Sequence, residues 1–192
     1  KLGDTVYTCD ANGKCAWKTV PPTYKKLEGP LFVKGELDYS DIHPNDVKQG
    51  ALGDCYYLAS LAAVALNDSK TIRDMFKENG GGKYTVYLYS KADKGWWEFW
   101  KPEFTRGGYD VDNEFPMNSH GTIFAHEGAG EEAKELWVLL AEKAYAMKHA
   151  RSYAEIGHGG WPGDALEEIT GKTSDRRAAS DVLLRQLQTW YN

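Results

Sequence analysis

An α+β fold built around one buried helix is what the sequence predicts, and three observations predict it. From Cys55 the run CYYLASLAAVAL is apolar at helical spacing, with Leu58, Leu61, Ala62, Ala65 and Leu66 recurring every three or four residues. Tyr84, Val86 and Leu88 alternate with Thr85, Tyr87 and Tyr89, the period of a half-buried strand. From Glu131 to Lys148 the acids Glu131, Glu132 and Glu135 come first and Lys143 and Lys148 last, which complements the macrodipole of a long helix. Its buried stripe is expected at Leu136, Leu140 and Ala144.

The remaining elements follow in chain order. Residues 1–45 read as a hairpin and an irregular arm, because Pro21, Pro22, Pro30 and Pro44 break any long helix. Asn12-Gly13, between Cys9 and Cys15, is a hairpin signal that sets the two thiols across from one another. Residues 46–192 form the second unit. Its first helix starts at Cys55, with Gly53 as the break and Asp54 as the N-cap, and ends near Asn67-Asp68. A short helix from Thr71 to Lys77 follows and Asn79 to Gly82 stops it. The strand at Tyr84 is expected to pair with Trp96 to Trp100 across a turn at Lys91 to Gly95, with these aromatics mostly in the core. A last amphipathic helix, carrying Val182, Leu183 and Leu187, begins at Ser180 or Asp181.

Composition excludes several classes. At 192 residues and 42% hydrophobic, the chain is long enough to bury a sizeable core. The net charge of -5, with Lys25-Lys26 and Arg176-Arg177 as the adjacent basic pairs, provides no electrostatic footprint for nucleic acid. No run approaches the roughly 18 apolar residues of a membrane span. No signal peptide is visible, and the chain starts without Met, so an upstream segment is compatible with it.

The chemistry concentrates at Gln49 to Cys55. A thiol on the first turn of a helix meets unpaired backbone N–H groups and the positive end of the helix dipole, which favour thiolate over thiol. Gln49, six positions upstream, carries a neutral amide donor suited to an oxyanion. The competing reading of Cys55 is a small buried hydrophobe on an apolar helix. Spacing alone leaves both open.

The string QGALGDC followed by an aromatic and Leu resembles the active-site signature of the calpain family of papain-like cysteine proteases. The resemblance continues in order through Gly82-Lys83-Tyr84, Val111 to Pro116, Leu136-Trp137, Glu142 to Ala146, Ser152-Tyr153, Gly159-Gly160 and Thr170-Gly171. It covers about Asp46 to Gly171 and implies a papain-like first protease-core subdomain, with Cys55 as nucleophile and Gln49 lining the oxyanion hole. Tyr56 departs from the pattern, since calpains usually carry Trp after the cysteine. The resemblance also implies a calcium site at Asp46 and Glu135, with backbone carbonyls near Tyr39 to Asp41 as additions. Oxygen donors of this kind suit Ca2+. Asp46 as a plain turn cap and Glu135 on a solvated helix face are the alternatives.

A papain-like thiol needs a histidine and a group that orients it. The family carries these in a second subdomain, in Gly-His-Ala-like and Asn-Pro-Trp-like motifs, and neither motif occurs here. His43, His120, His126 and His149 fall in other contexts; His158, in a glycine-rich loop, is the least excluded. The expectation is a nucleophile half, largely inactive alone, that acts on protein or peptide substrates once a second subdomain joins it. A noncatalytic interaction module and another thiol acyl transferase are the alternatives. A Cys9–Cys15 disulfide would place the chain in an oxidising compartment, hence a secreted bacterial relative; a cytoplasmic protein with free thiols is the other reading.

Overall fold

The computed structural model of the chain describes residues 4–9, 15–20, 23–34, 40–93, 95, 97, 100, 103–118, 121–122 and 135–175. The expected closing helix at Ser180 lies outside these residues, as do Glu131 and Glu132.

The strand at Tyr84 is the centre of the main sheet. Strand β5 (Lys83–Lys91) runs between β4 (Phe76–Gly80) and β6 (Phe104–Asp112), all antiparallel. Tyr84, Val86 and Leu88 point into the core, as the alternation requires. The partner differs from the expected Trp96 to Trp100. Residues 104–112 take that place, Lys91 pairing with Phe104 and Tyr84 with Val111. Trp97 and Trp100 are mostly exposed rather than buried. The register explains this: pairing that resumes only at Phe104 leaves Trp97 and Trp100 in the connection, away from either face of the sheet.

Asn79 to Gly82 does not stop a helix. The short helix α2 (Ser69–Asp74) ends earlier, and Phe76 and Lys77 already belong to β4. Gly80, Gly81 and Gly82 all take positive φ and turn the chain into β5, a conformation that glycine adopts without steric cost.

Helix α1 (Cys55–Asn67) starts and ends where the periodicity places it. It buries Tyr57, Leu58, Leu61, Val64 and Ala65, whereas Leu66 is 67% exposed, so the packed face is rotated away from the expected stripe. One side meets α5 (Pro162–Thr170), which in turn covers β5. Another meets α3 (Trp137–Lys148), where the Tyr57 hydroxyl donates to the Ala141 carbonyl at 3.1 Å and the Tyr57 and Tyr145 rings stack at 3.8 Å. Each fully buried large side chain in this interface contributes about 1.5–3 kcal/mol.

Helix α3 is buried nearly all round rather than along one stripe; Leu140 and Ala144 are sealed, but so are Val138, Leu139 and Ala141. It begins at Trp137, and Glu135 and Leu136 precede it as irregular chain. Glu135 therefore stands on no solvated helix face.

The N-terminal strands divide in their attachments. Strands β1 (Asp4–Cys9) and β2 (Cys15–Val20) form a hairpin with Cys9 paired opposite Cys15. Strand β3 (Thr23–Lys26) joins β7 (Glu114–Asn118), which also pairs with β8 (Gly121–Thr122). Beyond it the Leu27 carbonyl accepts from the buried Asn113 amide at 2.7 Å, and Pro30 and Leu31 carbonyls accept from the Leu136 and Trp137 amides. Residues 23–34 thus strap the head of α3 to the sheet.

Candidate active site

Cys55 is the first residue of α1 and its side chain is exposed. The Asp54 carbonyl accepts from the Tyr57 and Leu58 amides at 2.9 and 3.2 Å, so the first turn is regular. Asp54 holds the N-cap position but makes no side-chain cap. Its carboxyl turns inward and is fully buried, where it meets Glu142 of α3. The sequence reading missed this pair. Glu142 lies one turn after Val138 and Leu139, on a face whose neighbours are all apolar, and that mismatch is the signal that a helical wheel would have shown.

The loop before the thiol is held by close approach. A Cβ on Gly53 would come within 2.4 Å of the Gly157 carbonyl oxygen, and one on Gly160 within 2.5 Å of the Tyr56 ring. The glycines at 157–160 therefore let a turn after α4 (Tyr153–Ile156) press against both the loop before Cys55 and the first turn of α1. Beside Tyr56 a cleft of about 270 Å³ is lined also by His149, Ala150, Glu155, Ile156 and Gly159. Ala150 and Arg151 both have φ of 56°, a left-handed conformation rare for residues with a Cβ.

Gln49 is exposed, and its amide donates to the Leu52 carbonyl at 2.7 Å. That bond closes the loop from Gln49 to Leu52 and uses one of the two N–H groups; the second is available to a ligand.

Two of the histidines, His43 and His149, hold structural posts. The His43 ring accepts from the Asn45 amide and starts the 3₁₀ turn Pro44–Asp46. His149 ends α3, with Nε2 2.9 Å from Glu168, which Lys148 also meets at 3.0 Å. His158 is exposed in the 157–160 turn. His120 and His126 lie outside the described residues.

Asp46 and Glu135 come together. Asp46 caps the 3₁₀ turn, accepting from the His43 amide at 2.6 Å. Glu135 is 3% exposed and accepts from the Val33 amide at 3.2 Å. Burial first and the charge of Asp46 second push the Glu135 carboxyl up to about 8. Two acids forced together in this way are a donor set that a divalent cation relieves. Among the described residues no group of three or more metal-binding side chains occurs. Asp41, one of the expected carbonyl contributors, is anchored by its side chain to Arg73 at 2.6 and 2.7 Å.

An α+β domain that presents an exposed cysteine at the head of a buried helix has a layout that suits a thiol hydrolase. Residues 9–190 match the calpain family cysteine protease, and the chain belongs to that family. It is 31% identical over 186 residues to the calpain-1 catalytic subunit of Homo sapiens, covering 90% of this chain and 22% of that one. It is 34% identical over 151 residues to calpain clp-4 of Caenorhabditis elegans, covering 76% and 19%. It is 32% identical over 158 residues to the calpain-type cysteine protease DEK1 of Arabidopsis thaliana, covering 78% and 6%. The chain thus spans less than a quarter of these relatives. No helix among the described residues is long and apolar enough to cross a membrane.

Proposed function

We propose that residues 46–192 are the nucleophile half of a calpain-like cysteine endopeptidase, with residues 1–45 as an arm whose segment 23–34 laces the core. The observation that carries this is Cys55, accessible on the first turn of α1 with Gln49 on the adjoining loop. A second subdomain, on the same precursor or a separate chain, supplies the histidine and asparagine. The Cys55 sulfur attacks a peptide carbonyl and forms a tetrahedral oxyanion, which the Cys55 backbone N–H and the second N–H of Gln49 hold. The partner's histidine takes the thiol proton and returns it to the leaving amine; water then frees the acyl group.

Asp46 and Glu135 would hold calcium, which supplies charge neutralisation between two acids and no step of the chemistry. Bound there, it ties the 3₁₀ turn to the entry of α3.

Opposed residues in antiparallel strands stand about 4.5–5.5 Å apart at Cα, inside the span a disulfide bridges, so the Cys9–Cys15 register supports a secreted, oxidised protein. Alkylation of the native protein before and after reduction tests this: one modified thiol rising to three supports it, and three before reduction refutes it.

The experiment for the main reading is labelling with a peptidyl epoxysuccinate, with and without calcium. Modification at Cys55, together with little peptide cleavage by residues 1–192 alone, is the expected result. The Gln49 amide already bonded to Leu52 favours one rival, a noncatalytic binding module, and absence of labelling in every condition would establish it.

A further inference from the structure

The mechanism leaves one sealed pair of acids without a task. Asp54 is fully buried and Glu142 is 1% exposed. Among the described residues no donor meets either Asp54 carboxylate oxygen. Burial drives the Asp54 carboxyl above the ordinary range, and the side chain that bears on it is Glu142, with no cation among the groups that do. Carboxylates have acceptors only, so two carboxyl groups bond to one another when one of them carries a proton.

The surroundings leave that proton no better home. Tyr56 and Tyr57 of α1 and Tyr153 of α4 feel the charge on Asp54, and Tyr145 of α3 stacks on Tyr57. Burial raises all four hydroxyls, so they stay neutral. Glu168 of α5, which also bears on Tyr57, has Lys148 and His149 as partners. Asp112, which bears on Tyr153, is paired with Lys143 at 2.5 Å.

We propose that Asp54 and Glu142 share a single proton, and that this acid–carboxylate pair fixes the turn on which Cys55 stands, making Glu142 a positioning residue for the nucleophile. The pair links the residue that opens α1 to the middle of α3. With one proton the pair carries a single negative charge instead of two. The positioning clause rests on Cys55 being the nucleophile; the shared proton does not.

The test follows Cys55 alkylation by iodoacetamide against pH in the intact protein, alongside thermal unfolding over the same range. Glu142→Gln keeps the bond, since its amide donates to Asp54, but has no proton to lose. Glu142→Ala leaves Asp54 buried alone. E142Q is expected to alkylate within about twofold of the parent near neutral pH. E142A is expected to be at least about tenfold slower, with its rate profile displaced by about one pH unit. The sign for unfolding runs one way. A carboxyl raised in the folded state contributes stability below its unfolded value, and that contribution is lost as pH rises through the folded value. The parent therefore loses melting temperature on the alkaline side more steeply than E142Q or Asp54→Asn. Parallel unfolding profiles for parent, E142Q and D54N would overturn the shared proton. An E142A protein that unfolds early yet alkylates on the parent's profile would overturn the positioning role. A thiol no more reactive than free cysteine in every variant would defeat the nucleophile reading, while the unfolding curves still decide the proton.

Discussion

Two pairs of acids join the loop before α1 to the chain around α3, and they differ in what can reach them. Asp46 and Glu135 meet where the chain is still irregular, with Asp46 half-buried and backbone amides of His43 and Val33 pointing at their oxygens. Asp54 and Glu142 meet further along both segments, where both are fully buried and no cation acts on Asp54. On the readings proposed above, the outer pair would hold a divalent cation and the inner one a proton. Burial of like charges is costly in both, and the fold resolves the cost with whatever counter-charge the surroundings admit.

Crossed substitutions break this comparison most sharply. Cys55→Ala should abolish labelling, and peptide cleavage by the protease completed with its second subdomain, while the calcium response persists. Glu135→Gln or Asp46→Asn should abolish the calcium response while Cys55 still alkylates. In thermal unfolding, calcium at about a hundredfold over its dissociation constant should stabilise the parent by about 2.7 kcal/mol. For a chain of this size that is roughly 5–10 °C, and E135Q should show none of it. A calcium response retained in E135Q would remove the outer pair from metal binding.

Gln49→Ala comes next in size. Loss of an oxyanion donor costs about 10²–10³ in kcat, measured on the completed protease with its second subdomain, with an unchanged KM. Its thermal stability should fall only slightly, because one exposed bond to the Leu52 carbonyl is lost.

The outer pair also sets a pH dependence of its own, which adds to that of the inner pair. The Glu135 carboxyl, pushed up to about 8, keeps its proton in the folded chain at pH values where the unfolded chain has lost it. Its stabilising contribution is complete below the ordinary glutamate range and disappears as pH rises through about 8. Without calcium the parent should therefore weaken across that pH, and with saturating calcium the decline should flatten, as a titration of melting temperature would reveal. E135Q should remove this part of the slope and leave the part owed to Asp54 and Glu142.

The smallest effect concerns the loop beside the cleft. Ala150→Gly should stabilise the protein by less than about 1 kcal/mol, since the left-handed backbone no longer opposes a Cβ while the unfolded chain gains freedom. Chemical denaturation with an unchanged m-value is the measurement.

Much of this was readable in the string of residues. Helix α1 and strand β5 were legible because each carries a clear period and firm stops, Gly53-Asp54 before one and the glycine run before the other. The Cys55 position and the calpain resemblance followed from contiguous residues. The partner of β5 was not legible, since nothing local distinguishes Trp96 to Trp100 from Phe104 to Asp112 until pairing excludes one. Asp54 read as a cap because Asp commonly caps; burial against Glu142, 88 positions away, overrode that preference. Glu135 read as a helix-start acid because the charge pattern from Glu131 to Lys148 suits a dipole.

Local order along the chain was enough to establish the kind of fold, the family and which sulfur is offered at a helix head. Whether an acid faces water, a cation or another acid depended on segments that meet only after the chain has closed. The reason is physical: periodicity reports which side of an element is apolar, whereas the state of a buried charge is set by the few groups, distant in sequence, that share its desolvated space.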